Sequence, residues 1–151
     1  MKYFFVSFIA ILAIVSISDA QHKLPKTWTK DFTIRLSYSG SMDGSSTHIV
    51  FTYDSCKYEG NSGMNAPKKG YYLMKDVDRK AILEKLQAFN VDKIHSEMSI
   101  TPVNDGWNRS MCFGYHCIEA GTSAKISDHD KEQFSNAYDY LAGYAIQKIK
   151  K

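Results

Sequence analysis

Five histidines (His22, His48, His95, His116, His129) and three cysteines (Cys56, Cys112, Cys117) are the residues of this 151-residue chain best suited to chemistry. No two histidines stand at the spacing that puts paired imidazoles on one helix face, and no second cysteine pair completes a zinc site. The sequence therefore predicts no metal centre and no cofactor. His95 and His116 have reference pKa values near neutrality. Either of them, with Asp105, is the acid–base set from which a small secreted hydrolase could be built. A nucleophile elbow, a phosphate loop and a dinucleotide fingerprint are all missing from the sequence. Asp43-Gly44 and Asn104-Asp105-Gly106 read as turns, because neither continues into the spaced oxygen ligands and distal Glu of a calcium loop.

What the cysteines can do depends on where the chain resides. Met1-Lys2 is a short basic start, Tyr3 to Ile17 is apolar, and Ser18-Asp19-Ala20 offers small residues at a cleavage site. This layout predicts a secretory signal over 1–20, cleaved near Ala20, and a mature chain from Gln21 in a periplasm or outside the cell. No other apolar run is long enough for a membrane span. In an oxidising compartment three cysteines allow one intramolecular disulfide. The nearest pair lies in Cys112-Phe113-Gly114-Tyr115-His116-Cys117. If Gly114-Tyr115 is a two-residue turn, Gly at its first position suits type II′. Phe113 and His116 then close the hairpin, and Cys112 faces Cys117 in the next, non-hydrogen-bonded pair. A bridge from Cys56 to one of them, or free buried thiols, are the alternatives. Cys56 as a nucleophile would need a reducing setting and a partner His.

Aromatic content is the other positive feature. Tyrosine gives amphipathic contact area at low entropic cost and is enriched at interfaces. Tyr58, Tyr71, Tyr72 and Tyr115 fall in or beside loops. With Phe113 and His116 they form the candidate binding set.

The hexapeptide from Cys112 to Cys117 resembles the Cys-x4-Cys loop with which Ivy-type lysozyme inhibitors project a His into the lysozyme cleft. The likeness is one of loop geometry and covers these six residues. His116 stands one position later than the family's His, and Phe-Gly-Tyr-His replaces its Lys-Pro-His-Asp interior. The resemblance implies a rigid, protruding protein contact.

The elements that must position these residues follow from periodicity. Gln21 to Lys30 is a polar, Pro-containing lead-in. Phe32 to Tyr38 alternates as a half-buried strand, and Thr47 to Tyr53 is its antiparallel partner after a Gly-rich turn. Ser55 to Gly70 reads as a long punctuated loop, and Tyr71 to Met74 as a short strand. A helix runs from Asp76 or Asp78 to Phe89, with Asn90 as a left-handed cap. Ile94 to Ile100 is a moderate strand, 107–113 and 116–120 make the hairpin, and Gly121 to Lys125 is a connector. A last helix starts at the capping-box-like Ser127-Asp128-His129-Asp130, with Leu141 among its buried residues and Tyr140 on the opposite face. The predicted fold is one α+β domain over 21–151. It has an antiparallel sheet of about five to six strands, in β-β-β-α-β-β-β-α order, with two helices packed on one face.

With 44% hydrophobic and 23% charged residues the composition is that of an ordinary globular domain. A net charge of +3 lacks the dense basic stripe of a nucleic-acid binder. The reading that results is a small secreted, non-catalytic protein that binds another envelope or extracellular protein, of inhibitor or immunity type. The small hydrolase and a structural envelope component are the alternatives.

Overall fold

The computed structural model describes residues 24–40, 43–62, 68–98 and 106–149. Alternation of apolar and polar residues builds most of its strands. These are β1 (Ile34–Gly40), β2 (Ser46–Phe51), β3 (Ser55–Asn61), β4 (Lys68–Leu73), β5 (Ser96–Met98), β6 (Trp107–Phe113), β7 (His116–Gly121) and β8 (Ala124–Ile126). Helix α1 (Asp76–Ala88) and a 3-10 turn (Val91–Lys93) separate β4 from β5, and helix α2 (Asp128–Ile149) follows β8. Six strands form one antiparallel sheet in the order β4-β3-β2-β1-β6-β7, and β5 pairs with β8 in a second, small sheet.

The α+β class, the antiparallel sheet and the two helices agree with the sequence reading, while the element order gains two strands. β3 lies inside the segment read as a loop. There Cys56 and Tyr58 alternate with Lys57 and Glu59, and ladders to β2 on one side and β4 on the other satisfy the backbone that Gly60 and Asn61 seemed to interrupt. β8 is three residues long and exists as the partner of β5, a tertiary pairing with no local periodicity to announce it. Ile100 and Asn104-Asp105 lie outside the described residues.

Register divides the sheet into two faces. One row across it reads Tyr72, Cys56, Phe51, Ile34, Phe113, His116, and the next reads Gly70, Tyr58, Ile49, Leu36, Met111, Ile118. Phe51, Ile34, Ile49, Leu36, Met111 and Ile118 are at most 1% exposed. These rows share one hydrophobic core with Ile82, Leu83 and Leu86 of α1 and with Phe134, Ala137, Tyr138, Leu141 and Ala145 of α2. Residues 24–33 contain no helix or strand, yet Trp28 among them is buried in the same core. Its indole N–H donates to the Phe32 carbonyl at 2.9 Å.

The helices are capped and clamped by side chains. Ser127 Oγ accepts the Asp130 N–H at 3.1 Å, which satisfies an orphan donor at the start of α2. Asn90 takes the left-handed conformation (φ 50°) after α1. The N-cap of α1 is Lys75, and Asp78 reaches back to accept its N–H at 2.8 Å. Asp78 is 1% exposed, and its other oxygen accepts the Tyr144 hydroxyl and the Lys148 ammonium, each at 2.6 Å. Burial pushes this carboxyl up. The Lys148 ammonium, the Tyr144 hydroxyl and the Lys75 N–H outweigh that and hold it below the usual carboxylate range.

Gly121 ends β7 opposite Asn108 of β6. A Cβ there would collide with the Trp107 carbonyl oxygen and sit 2.8 Å from Asn108 Cα, both backbone atoms that cannot turn aside. Gly121→Ala is expected to destabilise the protein by about 1–3 kcal/mol. Thermal unfolding checks this, and an unchanged midpoint would show that the β6–β7 ladder yields there.

Candidate functional site

The β6–β7 hairpin forms as its sequence dictates. Phe113 pairs with His116 and Cys112 with Cys117, leaving Gly114-Tyr115 as the turn. Gly114 has φ 58°, and Tyr115 has no positive φ, the pattern of a type II′ turn. The disulfide joins Cys112 to Cys117 with Cα atoms 4.1 Å apart, and Cys56 is a free, buried thiol. Of the three arrangements that the spacing left open, the structure has the Cys112–Cys117 bridge. Burial pushes the Cys56 thiol up to about 12, so it is no nucleophile near neutral pH.

The six candidate binding residues separate onto two sides of the sheet. Tyr115 stands at the tip, 85% exposed, and a Cβ added at Gly114 beside it would meet nothing within 4 Å. Phe113 and His116 are not on the exposed tip. They point into the core at 2% and 9% exposed, because the period of a strand turns 113 and 116 toward the face that carries Met111 and Ile118. The His116 Nε2 donates to the Ile94 carbonyl at 3.1 Å, and its ring packs 5.0 Å from that of Phe113. His116 thus ties β7 to the chain entering β5. Tyr58 and Tyr72 also face the helices and are half-buried. The Tyr72 hydroxyl donates to Met74 Sδ at 3.1 Å, and burial pushes its phenol well above the usual range. Tyr71 lies on the open face, 56% exposed, but on the far edge strand, roughly 20 Å from the tip at the usual strand spacing.

The hydrolase set is only partly brought together. The rings of His95 and His116 are 6.4 Å apart, edge to face, while Asp105 lies outside the described residues. Neither histidine lines the groove of about 440 Å³ between Trp28 and α1, or the one of about 520 Å³ beside Tyr58 and Ile149. Among the described residues no group of three or more His, Cys, Asp or Glu is placed to hold a metal ion. No described helix is long and apolar enough to cross a membrane.

The open face of the sheet carries a row that runs from its far edge to the hairpin: Tyr71, Lys57, Val50, Arg35, then the disulfide. Arg35 and Lys57 are exposed there. The signal is the alternation of Arg35 with Leu36 and of Lys57 with Cys56 and Tyr58, masked in β3 by the loop-like Gly60-Asn61 that ends it. What this arrangement can do is contact. It offers an aromatic tip on a disulfide-stapled hairpin beside a sheet face that exposes Arg35 and Lys57. No protein-family model matches the chain, and no curated protein does.

Proposed function

We propose that this chain is a small, non-catalytic binding domain, exported to a periplasm or the cell exterior with residues 1–20 removed. It engages another protein there, as an inhibitor or immunity-type partner would. The observation that carries the reading is Tyr115, 85% exposed at the apex of a disulfide-stapled hairpin. A stapled two-residue turn has little freedom left to lose, so contacts made by its tip are not weakened by loop ordering. An exposed aromatic on such a support is a natural anchor. Phe113 and His116 serve by holding the hairpin base in the core.

The test compares folding with binding. A pull-down with the wild-type protein from envelope and culture extracts identifies the partner, and the variants are then titrated against it. Tyr115→Ala is expected to leave the melting temperature within about 1–2 °C, as a surface change should, and to weaken capture at least tenfold, as losing an anchor of about 1.4 kcal/mol or more would. Replacing Cys112 and Cys117 together by Ser should also weaken capture and lower stability only modestly, because the closed loop is so short. Unchanged capture by Tyr115→Ala would sink the reading.

A further inference from the structure

β4 ends the six-strand order, and no described residue pairs with its outer side. The opposite edge, β7, is served differently: the Glu119 N–H donates to Ser96 Oγ of β5 at 2.8 Å. The free backbone groups of β4 follow from register. The Met74 N–H donates to the Asp54 carbonyl at 2.9 Å, so Asp54 and Met74 form a hydrogen-bonded pair. Alternation along an antiparallel ladder then gives the remaining bonds to Tyr72, Gly70 and Lys68. The N–H and C=O groups of Lys69, Tyr71 and Leu73 point away from the sheet. Side chains of those same residues lie on its open face, Tyr71 56% and Leu73 66% exposed. Free ladder groups and exposed apolar side chains coincide on one strand, which makes it a template for another.

We propose that β4 pairs antiparallel with β4 of a second copy of this chain, about a two-fold axis at Tyr71, joining the two six-stranded sheets edge to edge. The strand is complementary to itself. Both members of each new hydrogen-bonded pair must come from Lys69, Tyr71 and Leu73, and centring on Tyr71 uses all three in each copy. Tyr71 meets its own counterpart, and Lys69 meets Leu73, over which its aliphatic stem can lie. Charge agrees with this direction. Lys68 and Lys69 begin the strand, and Lys69 is paired with Glu59 of β3 at 2.8 Å. Beyond the other end of β4 stand exposed Asp54, and Asp76, which is paired with Arg79, so the charges left to meet across the seam are Lys68 of one copy and Asp54 of the other. Antiparallel pairing sets the lysine end of one copy against the carboxylate end of the other, whereas parallel pairing would set lysine against lysine. The surface is separate from the hairpin tip, so the two proposals stand or fall independently.

Sedimentation velocity of the purified protein over a dilution series tests this, with amide hydrogen exchange at the two ends of the series. A monomer–dimer equilibrium is expected, with the Lys69, Tyr71 and Leu73 amides gaining protection as concentration rises and the Tyr72 amide unchanged. Leu73→Lys places a lysine opposite Lys69 twice per dimer and should weaken association about tenfold. Leu73 is largely exposed, so the melting temperature of dilute monomer should hold. A monomer at every concentration overturns the proposal. So does a dimer that ignores Leu73→Lys, or one whose protection falls on the hairpin or helices instead of β4.

Discussion

Leu141→Ala is expected to lower the free energy of unfolding by about 2–5 kcal/mol, and Leu86→Ala by a similar amount. Both side chains are 0% exposed, one on each helix, in the core that covers the inner rows of the sheet. Truncation removes the transfer energy of one methine and two methyl carbons and leaves a cavity that sheet and helices cannot close together. For a domain of this size that is a large part of the total stability. Urea titration followed by circular dichroism reads it directly. Tyr140→Ala is a useful companion. Its ring is half-buried, 5.9 Å from that of Tyr144 and within reach of Lys85 on α1, instead of on a free helix face as the sequence suggests. An intermediate loss is expected there. Losses below about 1 kcal/mol at both leucines would mean that the helices do not pack as described.

The second large effect falls on Asp78. Asp78→Ala is expected to cost about 3 kcal/mol, because three donors lose their acceptor: the Lys75 N–H, the Tyr144 hydroxyl and the Lys148 ammonium. Lys148 is 38% exposed on its side chain and can turn to water, which keeps the loss below that of a fully enclosed pair. Asp78→Asn should cost less, since the amide oxygen still accepts. The pH dependence follows from the depressed carboxyl. A carboxylate whose folded pKa lies below its unfolded value contributes stability above the unfolded pKa, near 4. That contribution is lost as pH falls through the folded value. The wild-type protein should therefore lose stability below about pH 4 more steeply than Asp78→Ala. Equal slopes for the two proteins between neutral and acid pH would remove the clamp from the account.

The residues show why some of this was legible in sequence and some was not. β1, the hairpin, both helices and the Asn90 cap are governed by local rules of alternation, turn chemistry and capping, so their sequence signals are strong. β3 and β8 are held by their neighbours, and glycines and short length mask what alternation remains. The disulfide was one of three arrangements, and spacing favoured it because a two-residue turn puts Cys112 opposite Cys117. The separation of the candidate binding set was latent in strand parity. Once Cys112 and Cys117 lie on the open face, Phe113 and His116 must lie on the other. Asp78 and Trp28 could not be placed, because their partners, Tyr144 and Lys148 for one and the whole core for the other, are brought to them by tertiary packing.

The central claim, that the hairpin tip is the contact surface, is tested most directly by photo-crosslinking from position 115. A benzophenone amino acid would be incorporated there in cells that export the protein, and at exposed Glu132 on α2 as a comparison. The account predicts a single adduct of defined mass from position 115, absent from position 132, that excess wild-type protein competes away and excess Tyr115→Ala protein does not. No adduct from position 115, or the same adducts from both positions, would contradict it.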